Sequence, residues 1–413
     1  MHNIDNKKFT VKRIAGGVCA AKGFRAAGVP AQIKYKGRND VALIVADAPC
    51  AAAAVFTTNA VAAAPVQYDR IAIRKGRAQA ILANSGCANA CTGEQGRRDA
   101  ELSALATAGE LGIDPSLVLV ASTGVIGHRL PVDRLLAGMK TAAASLERSA
   151  AAGLAAEKAV MTTDTKPKEA AVQVRIGGKN VTIGGMCKGS GMIEPNMATM
   201  LGFITTDCAI SPSMLRRALL RAISVSFNHV VVDGDESTND SVFLLASGAA
   251  DNPSITSPGP DFEAFTAALT AVGISLARQM AADGEGATKF VEVRVKGAKT
   301  LRDAERAARA IAKSPLAKTS WFGKDPNWGR VLAAAGYSGA TVDDRLADVF
   351  YGRTWAYRHG KVADAAQLAK LAKELEGPEL VVTVNLNLGE YESSIYTCDF
   401  SLDYVHINAD YTT

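Results

Sequence analysis

Residues 188–202 read KGSGMIEPNMATMLG and carry the types from which a nucleophile can be built. Three glycines and a proline break any helical or strand period, so the stretch is expected to form an irregular turn. Glycine tolerates φ > 0 and lets another backbone come close. That turn delivers Ala198 and Thr199, and residues 200–204 read as the start of a buried strand. An Ala-Thr pair taken alone is ordinarily a threonine buried behind a loop. Were the Ala198–Thr199 bond cut, however, Thr199 would hold a hydroxyl and a free α-amine, a nucleophile and its own base in one residue. An α-amine has an ordinary pKa of about 7.7–8.0, which leaves a useful fraction neutral near pH 7.

Acyl transfer by such a threonine needs donors aimed at an oxyanion. Ser122-Thr123-Gly124 ends a buried apolar run, and the Thr123 hydroxyl and Gly124 amide could converge on a carbonyl oxygen. One such donor is worth about 2.7–4 kcal/mol; the ordinary alternative is a plain strand-terminating turn. Lys188 lies eleven positions before Thr199. It is either a solvated surface lysine or a charge that keeps the Thr199 amine neutral or holds a substrate carboxylate. Glu285, between Gly284 and Gly286, is either part of a C-terminal helix turn or the carboxylate that a cationic substrate requires.

Other chemistries find no residues. Cys87 and Cys91 lack the partners of a zinc set, and the five histidines form no paired motif. The acidic loop 233–240 starts like a calcium loop, but Thr238 and Leu244 stand where Gly and Glu are required, so a turn wired by its own side chains is expected. No GxSxG elbow, Walker sequence or GxGxxG is present. Seven cysteines in 413 residues do not make a disulfide framework.

The 188–202 stretch resembles the autoprocessing site of the ornithine acetyltransferases, also called bifunctional glutamate N-acetyltransferases, of arginine biosynthesis. The likeness continues through KGF at 22–24, VFTTN at 55–59, NSG at 84–86, KDPNWGR at 324–330 and the YTT ending. The resemblance implies self-cleavage after Ala198 into an α fragment, 1–198, and a β fragment, 199–413. It implies Thr199 as the nucleophile, with Thr123 and Gly124 as the oxyanion hole. Thr162, Lys188, Thr199, Glu285, Asn408 and Thr413 are then substrate-binding. The implied reaction is ping-pong transfer of acetyl from N2-acetylornithine to L-glutamate through acetyl-Thr199. No metal or organic cofactor is called for, and acetyl-CoA is a second donor in a bifunctional member. An α2β2 heterotetramer follows from the same likeness. Departures from the pattern are Glu194, where an apolar residue or histidine is usual, Cys87 for asparagine, and His406 for a basic residue. Two other classes stay open: a self-processed amidohydrolase or aminopeptidase, in which water replaces glutamate, and a non-catalytic binding protein.

These residues need a scaffold. Strands mixed with helices throughout indicate α/β layers, and the resemblance specifies a layered α-β-β-α sandwich with N-terminal-nucleophile-like processing plus a smaller α/β domain. A change of rhythm near residue 287 separates 1–286 from a smaller domain, 287–388, and the resemblance implies that the tail, 389–413, returns to the active site. A hairpin is expected over 172–183, a helix capped by Ser211, one long helix or two broken at Gly153 over 131–160, and a terminal hairpin from 391 to about 407. At 48% hydrophobic, 21% charged and a net charge of +5, the chain has ordinary globular composition and no basic run suited to nucleic acid. The beginning of the chain lacks the apolar run of a secretory signal, and Asp47, Pro49, Asn59 and Pro65 interrupt 41–66 as a membrane span. Cytoplasm is the expected location.

Overall fold

The computed structural model describes residues 9–194 and 200–410. The first sheet comprises β1 (Lys12–Ile14), β2 (Phe24–Val29), β3 (Val41–Phe56), β4 (Arg77–Asn84) and β5 (Val118–Ser122). It continues with β6 (Glu169–Ile176), β7 (Lys179–Lys188), β8 (Leu201–Thr206) and β9 (Ser241–Ala246). The order across it is β1-β6-β7-β8-β9-β3-β4-β5, with β2 also on β3. β8 and β9, which follow residue 199, therefore lie between β7 and β3, which precede it.

β3 decides the shape. Its first part, 41–46, pairs with β2 and β4, and its last part, 51–56, pairs with β9. Between them Asp47, Ala48 and Pro49 are exposed and the register against β4 shifts. Proline cannot donate to a ladder, so a break in pairing falls naturally there. The two halves put the sheet into two leaves whose facing side chains share one core. Ile44, Ile81 and Leu119 from one leaf meet Phe203, Phe243 and Leu245 from the other.

Helices cover both outer faces. α1 (Ala64–Ala72), α2 (Gly93–Leu111) and α3 (Val132–Ala144) belong to one side, where Ala100, Ala104, Leu135 and Met139 pack on Leu43, Leu82 and Val120. α4 (Ala150–Val160) puts Ala156, Ala159 and Val160 into the core between the leaves. On the other side α5 (Pro212–Ser224) and α6 (Pro260–Ala282) bring Leu215, Leu219, Phe265 and Val272 onto Val174, Ile204 and Leu244. The expected layered α-β-β-α sandwich is therefore present. Alternation along each strand produces it: 41, 43 and 45 face one layer and 42, 44 and 46 the other.

A second sheet contains β10 (Phe290–Ala298), β11 (Asp348–Tyr351), β12 (Thr354–Arg358), β13 (Lys361–Val362), β14 (Glu379–Asn385) and β15 (Tyr391–Cys398). Their order is β13-β12-β11-β14-β10-β15. Beside it lie α7 (Leu301–Lys313), α8 (Pro315–Phe322), α9 (Trp328–Gly336) and α10 (Ala365–Glu374), and α11 (Leu402–Asp410) follows the sheet. Val291, Val293 and Val295 pack on Ala304, Ala308 and Ile311 of α7.

Several expected elements differ. The break in 131–160 falls at 145–149, where Ser149 caps α4 by accepting from Ala152 N; Gly153 lies inside the helix. The terminal hairpin is a strand followed by α11, which begins where Ser401 Oγ accepts from Asp403 N. The 172–183 hairpin and the Ser211 cap are as expected. Among the described residues no helix is long and apolar enough to cross a membrane.

Candidate active site

The turn after β5 is held from three directions. Thr123 N donates to Asn84 O, Ser122 Oγ donates to Asn84 Oδ1 (2.7 Å), and Asn84 Nδ2 donates to Cys87 O. From the 233–240 loop, Asn239 Nδ2 donates to Ala88 O (2.6 Å) and Ser122 O (2.8 Å). Gly124 takes φ +127°, and a Cβ there would stand 2.4 Å from the carbonyl carbon of Gly86. No residue with a side chain fits. The small residues of 84–93 permit this approach.

The loop after β7 is built by similar closeness. A Cβ on Gly191 would lie 2.4 Å from the carboxyl carbon of Glu285, so the backbone runs directly along that side chain. Glu285 N donates to Ser190 O, and Ser190 Oγ pairs with Thr163 Oγ1 at 2.7 Å. Asn408 of α11 donates from Nδ2 to Glu285 Oε2 (2.8 Å). The 233–240 loop is wired by its own side chains, as expected, since Asp233 accepts from Asp235 N and Ser237 Oγ from Asn239 N.

Thr123, Gly124, Thr162, Lys188, Glu285 and Asn408 line one cavity of about 100 Å³. Ala88, Ile126, Thr163, Gly191, Met192 and residues 237–239 complete its wall. The structure thus brings together every described residue singled out as a candidate, from positions 123 to 408. Ala198, Thr199 and Thr413 lie outside the described residues. Met200, directly after Thr199, accepts from Ser241 N and is buried beside this region. A larger cleft of about 630 Å³ lies between α6 and the second sheet. Its buried carboxylate, Glu292, is engaged by Arg278 (3.0 Å) and Arg294 (2.8 Å), which suits a structural role better than a reacting one.

Beneath the smaller cavity lies a charged network that sequence reasoning missed. Lys168 Nζ, buried, is 2.7 Å from Asp164 Oδ1 and 2.6 Å from Asp283 Oδ2. Asp164 also accepts from Gly189 N (2.7 Å) and Thr162 N (3.0 Å), and Lys188 Nζ stands 4.0 Å away. Burial pushes the Asp164 carboxyl upward, but Lys188 and then Lys168 outweigh it and hold the group below the usual range. Burial likewise lowers Lys168, and Asp164 and Asp283 reverse it, leaving the ammonium strengthened. The two carboxylates against Lys168 leave one negative charge over, which Lys188 offsets at the cavity wall. Asp283 also accepts from Thr165 N (3.0 Å), tying 162–168 to the end of α6. The signal in the sequence was an irregular stretch, TTDTKPK, with an acid and two lysines, but its partner is more than a hundred residues away.

A family model described as the ArgJ family matches residues 25–413. The arginine biosynthesis bifunctional protein ArgJ of Symbiobacterium thermophilum is 54% identical over 402 residues, covering 97% of this chain and 99% of that protein. The protein of the same name from Bacillus subtilis is 41% identical over 405 residues, covering 98% of each. Among solved structures, the ornithine acetyltransferase of Mycobacterium tuberculosis complexed with ornithine is 42% identical, and the match covers 46% of this chain and 100% of that one at a TM-score of 0.43. Because the family model and both full-length relatives span almost the whole sequence, the chain belongs to the ArgJ family of bifunctional arginine-biosynthesis proteins.

Proposed function

We propose that the chain cuts itself between Ala198 and Thr199 and then transfers acetyl from N2-acetylornithine to L-glutamate. In the cut, the Thr199 hydroxyl oxygen bonds to the Ala198 carbonyl carbon. The carbon–nitrogen bond then breaks, and the nitrogen takes the hydroxyl proton. Water hydrolyses the ester, leaving the Ala198 carboxylate and a restored Thr199 hydroxyl. The freed amine then serves as base, directly or through a water, while that hydroxyl attacks the acetyl carbonyl. Thr123 and Gly124 donate to the oxyanion. Ornithine leaves, and the glutamate amine takes the acetyl group from acetyl-Thr199.

The observation that carries this reading is the single small cavity lined by Thr123, Gly124, Thr162, Lys188, Glu285 and Asn408. It combines an ammonium suited to an α-carboxylate with a carboxylate suited to a side-chain ammonium, the two charges that ornithine and glutamate present between them. We assign Thr413 to the same substrate set and the α2β2 assembly and cytoplasmic location to the same proposal. The relatives are named bifunctional, and acetyl-CoA is included here as a second donor to glutamate.

Incubation of the protein with acetylornithine, with and without glutamate, tests the transfer. Acetylglutamate formed only in the presence of glutamate is the expected result; free acetate in either tube would mark a hydrolase instead. A β fragment beginning at Thr199, and an uncut Thr199→Ala chain, are the expected outcomes of amino-terminal sequencing and a denaturing gel.

A further inference from the structure

The chain entering residue 195 is held on two sides. Met192 N and Ile193 N donate to the Asp233 carboxylate (2.5 and 2.8 Å), and Val232 N donates to Ile193 O (2.7 Å). The next residue, Glu194, turns to α7. Its Oε2 lies 2.5 Å from Lys313 Nζ and its Oε1 3.9 Å from Arg309. Glu194 is only 8% exposed. A carboxylate this buried costs several kcal/mol unless it is paired, and the two cations supply the pairing. The helix that carries them is firmly seated, with Ala304, Ala307, Ala308 and Ile311 fully buried against the second sheet. Gly234 leaves room for the contact: a Cβ there would lie 3.3 Å from Lys313 Cε and 3.7 Å from Glu194 Oε2.

We propose that Glu194 is a positioning residue for self-cleavage, its ion pair with Lys313 and Arg309 anchoring the chain at residue 194 to helix α7. The inference rests on the self-cleavage reading above and deepens it. Lys313 lies 114 residues beyond Thr199 and is seated by the second sheet, so the cut waits until that sheet and α7 have docked. An apolar residue at 194 would fill the space without fixing a direction; an ion pair fixes both. Cleavage is thereby coupled to completion of the fold.

Cell-free synthesis of the full chain, with loss of the full-length band followed in time, tests this. Glu194→Gln and Lys313→Met should each slow the cut by about tenfold, since displacement of reacting atoms by ångströms has effects of that order or larger. The exchanged pair, Glu194→Lys with Lys313→Glu, should return the rate to within about threefold of the natural chain. Added salt should slow the natural chain and leave both single variants unmoved, because Lys313 is partly exposed to screening. Glu194→Gln, which leaves no charge buried, should keep its thermal midpoint, whereas Lys313→Met, which removes the nearer cation from a buried carboxylate, should lower it. Single variants that cut at the natural rate would overturn the inference, as would an exchanged pair that is folded but still slow, or slowing of Glu194→Gln that tracks a lowered midpoint. An unaltered chain that never cuts would instead remove the self-cleavage reading, and this inference with it.

Discussion

Thr123 and Gly124 share one turn but fail differently when altered. Thr123→Val keeps the shape and removes a hydroxyl, so a fall in kcat of about 10²–10³ is expected for acetylglutamate formation. Gly124→Ala places a methyl 2.4 Å from the Gly86 carbonyl carbon and displaces the turn itself; its loss of rate should come with a lower thermal midpoint. Glu285→Gln should raise KM for acetylornithine by about tenfold while changing KM for glutamate much less, since it removes a charge that only the cationic substrate would use. His229 gives a test independent of catalysis. Burial, then the nearby Arg309 charge, lowers its pKa from 6.5 to about 4. A depressed histidine contributes stability that is full above 6.5 and is lost as pH falls toward 4, because only the unfolded chain accepts the proton in that window. Denaturant titrations should therefore show His229→Gln gaining up to about 3 kcal/mol on the natural protein between pH 7.5 and 4. At this scale the sequence was informative where a residue's role is local. The end of an apolar run marks the turn at Thr123 and Gly124, while the oxyanion role proposed for them came from the resemblance. Asn239, which braces the same turn from the far loop, carries no local mark and was passed over inside a loop read as wired only to itself.

The segment after α4 is held to the end of α6 through Asp283, which accepts from Thr165, from Lys166 N and from Lys168. Lys168 satisfies Asp164 and Asp283 together, so Lys168→Met leaves buried carboxylates without their cation. A loss of about 3–5 kcal/mol is expected in denaturant titration. Among the elements, alternation was legible in β6 and β7, and so was Ser211 as a cap. The full length of β3 was not, because a proline in its middle reads as an end. It is tolerated there only because the sheet parts at that point. β11, β12 and α10 were missed for another reason. The strands are only four and five residues long; β11 takes its order from β14, distant in sequence, and β12 from β11 and β13, and little of that is written in their own composition. The helix at 402–410 has no buried residue to give it an apolar stripe, which is why a hairpin seemed the natural continuation of β15.

At the level of the molecule, the strand order makes the two proposed fragments inseparable by dilution. Cutting after Ala198 leaves β8 and β9 in one fragment, inserted between β7 and β3 of the other, with ladders on both sides. The fragments should co-elute on size exclusion in native buffer and part only in denaturant. The doubling of the sheet that creates this arrangement was readable from sequence only through resemblance, since no local pattern states which strands lie between which.

With the proposed cut, the same insertion would give the protein a direction in time. While continuous, the chain folds as a unimolecular event; once severed and denatured, it must reassemble by encounter of two species, at a rate that falls with dilution. Molecules lost to heat after maturation would then be replaced by synthesis far more readily than by renaturation, so the lifetime of the mature enzyme is governed by its unfolding barrier rather than by an equilibrium.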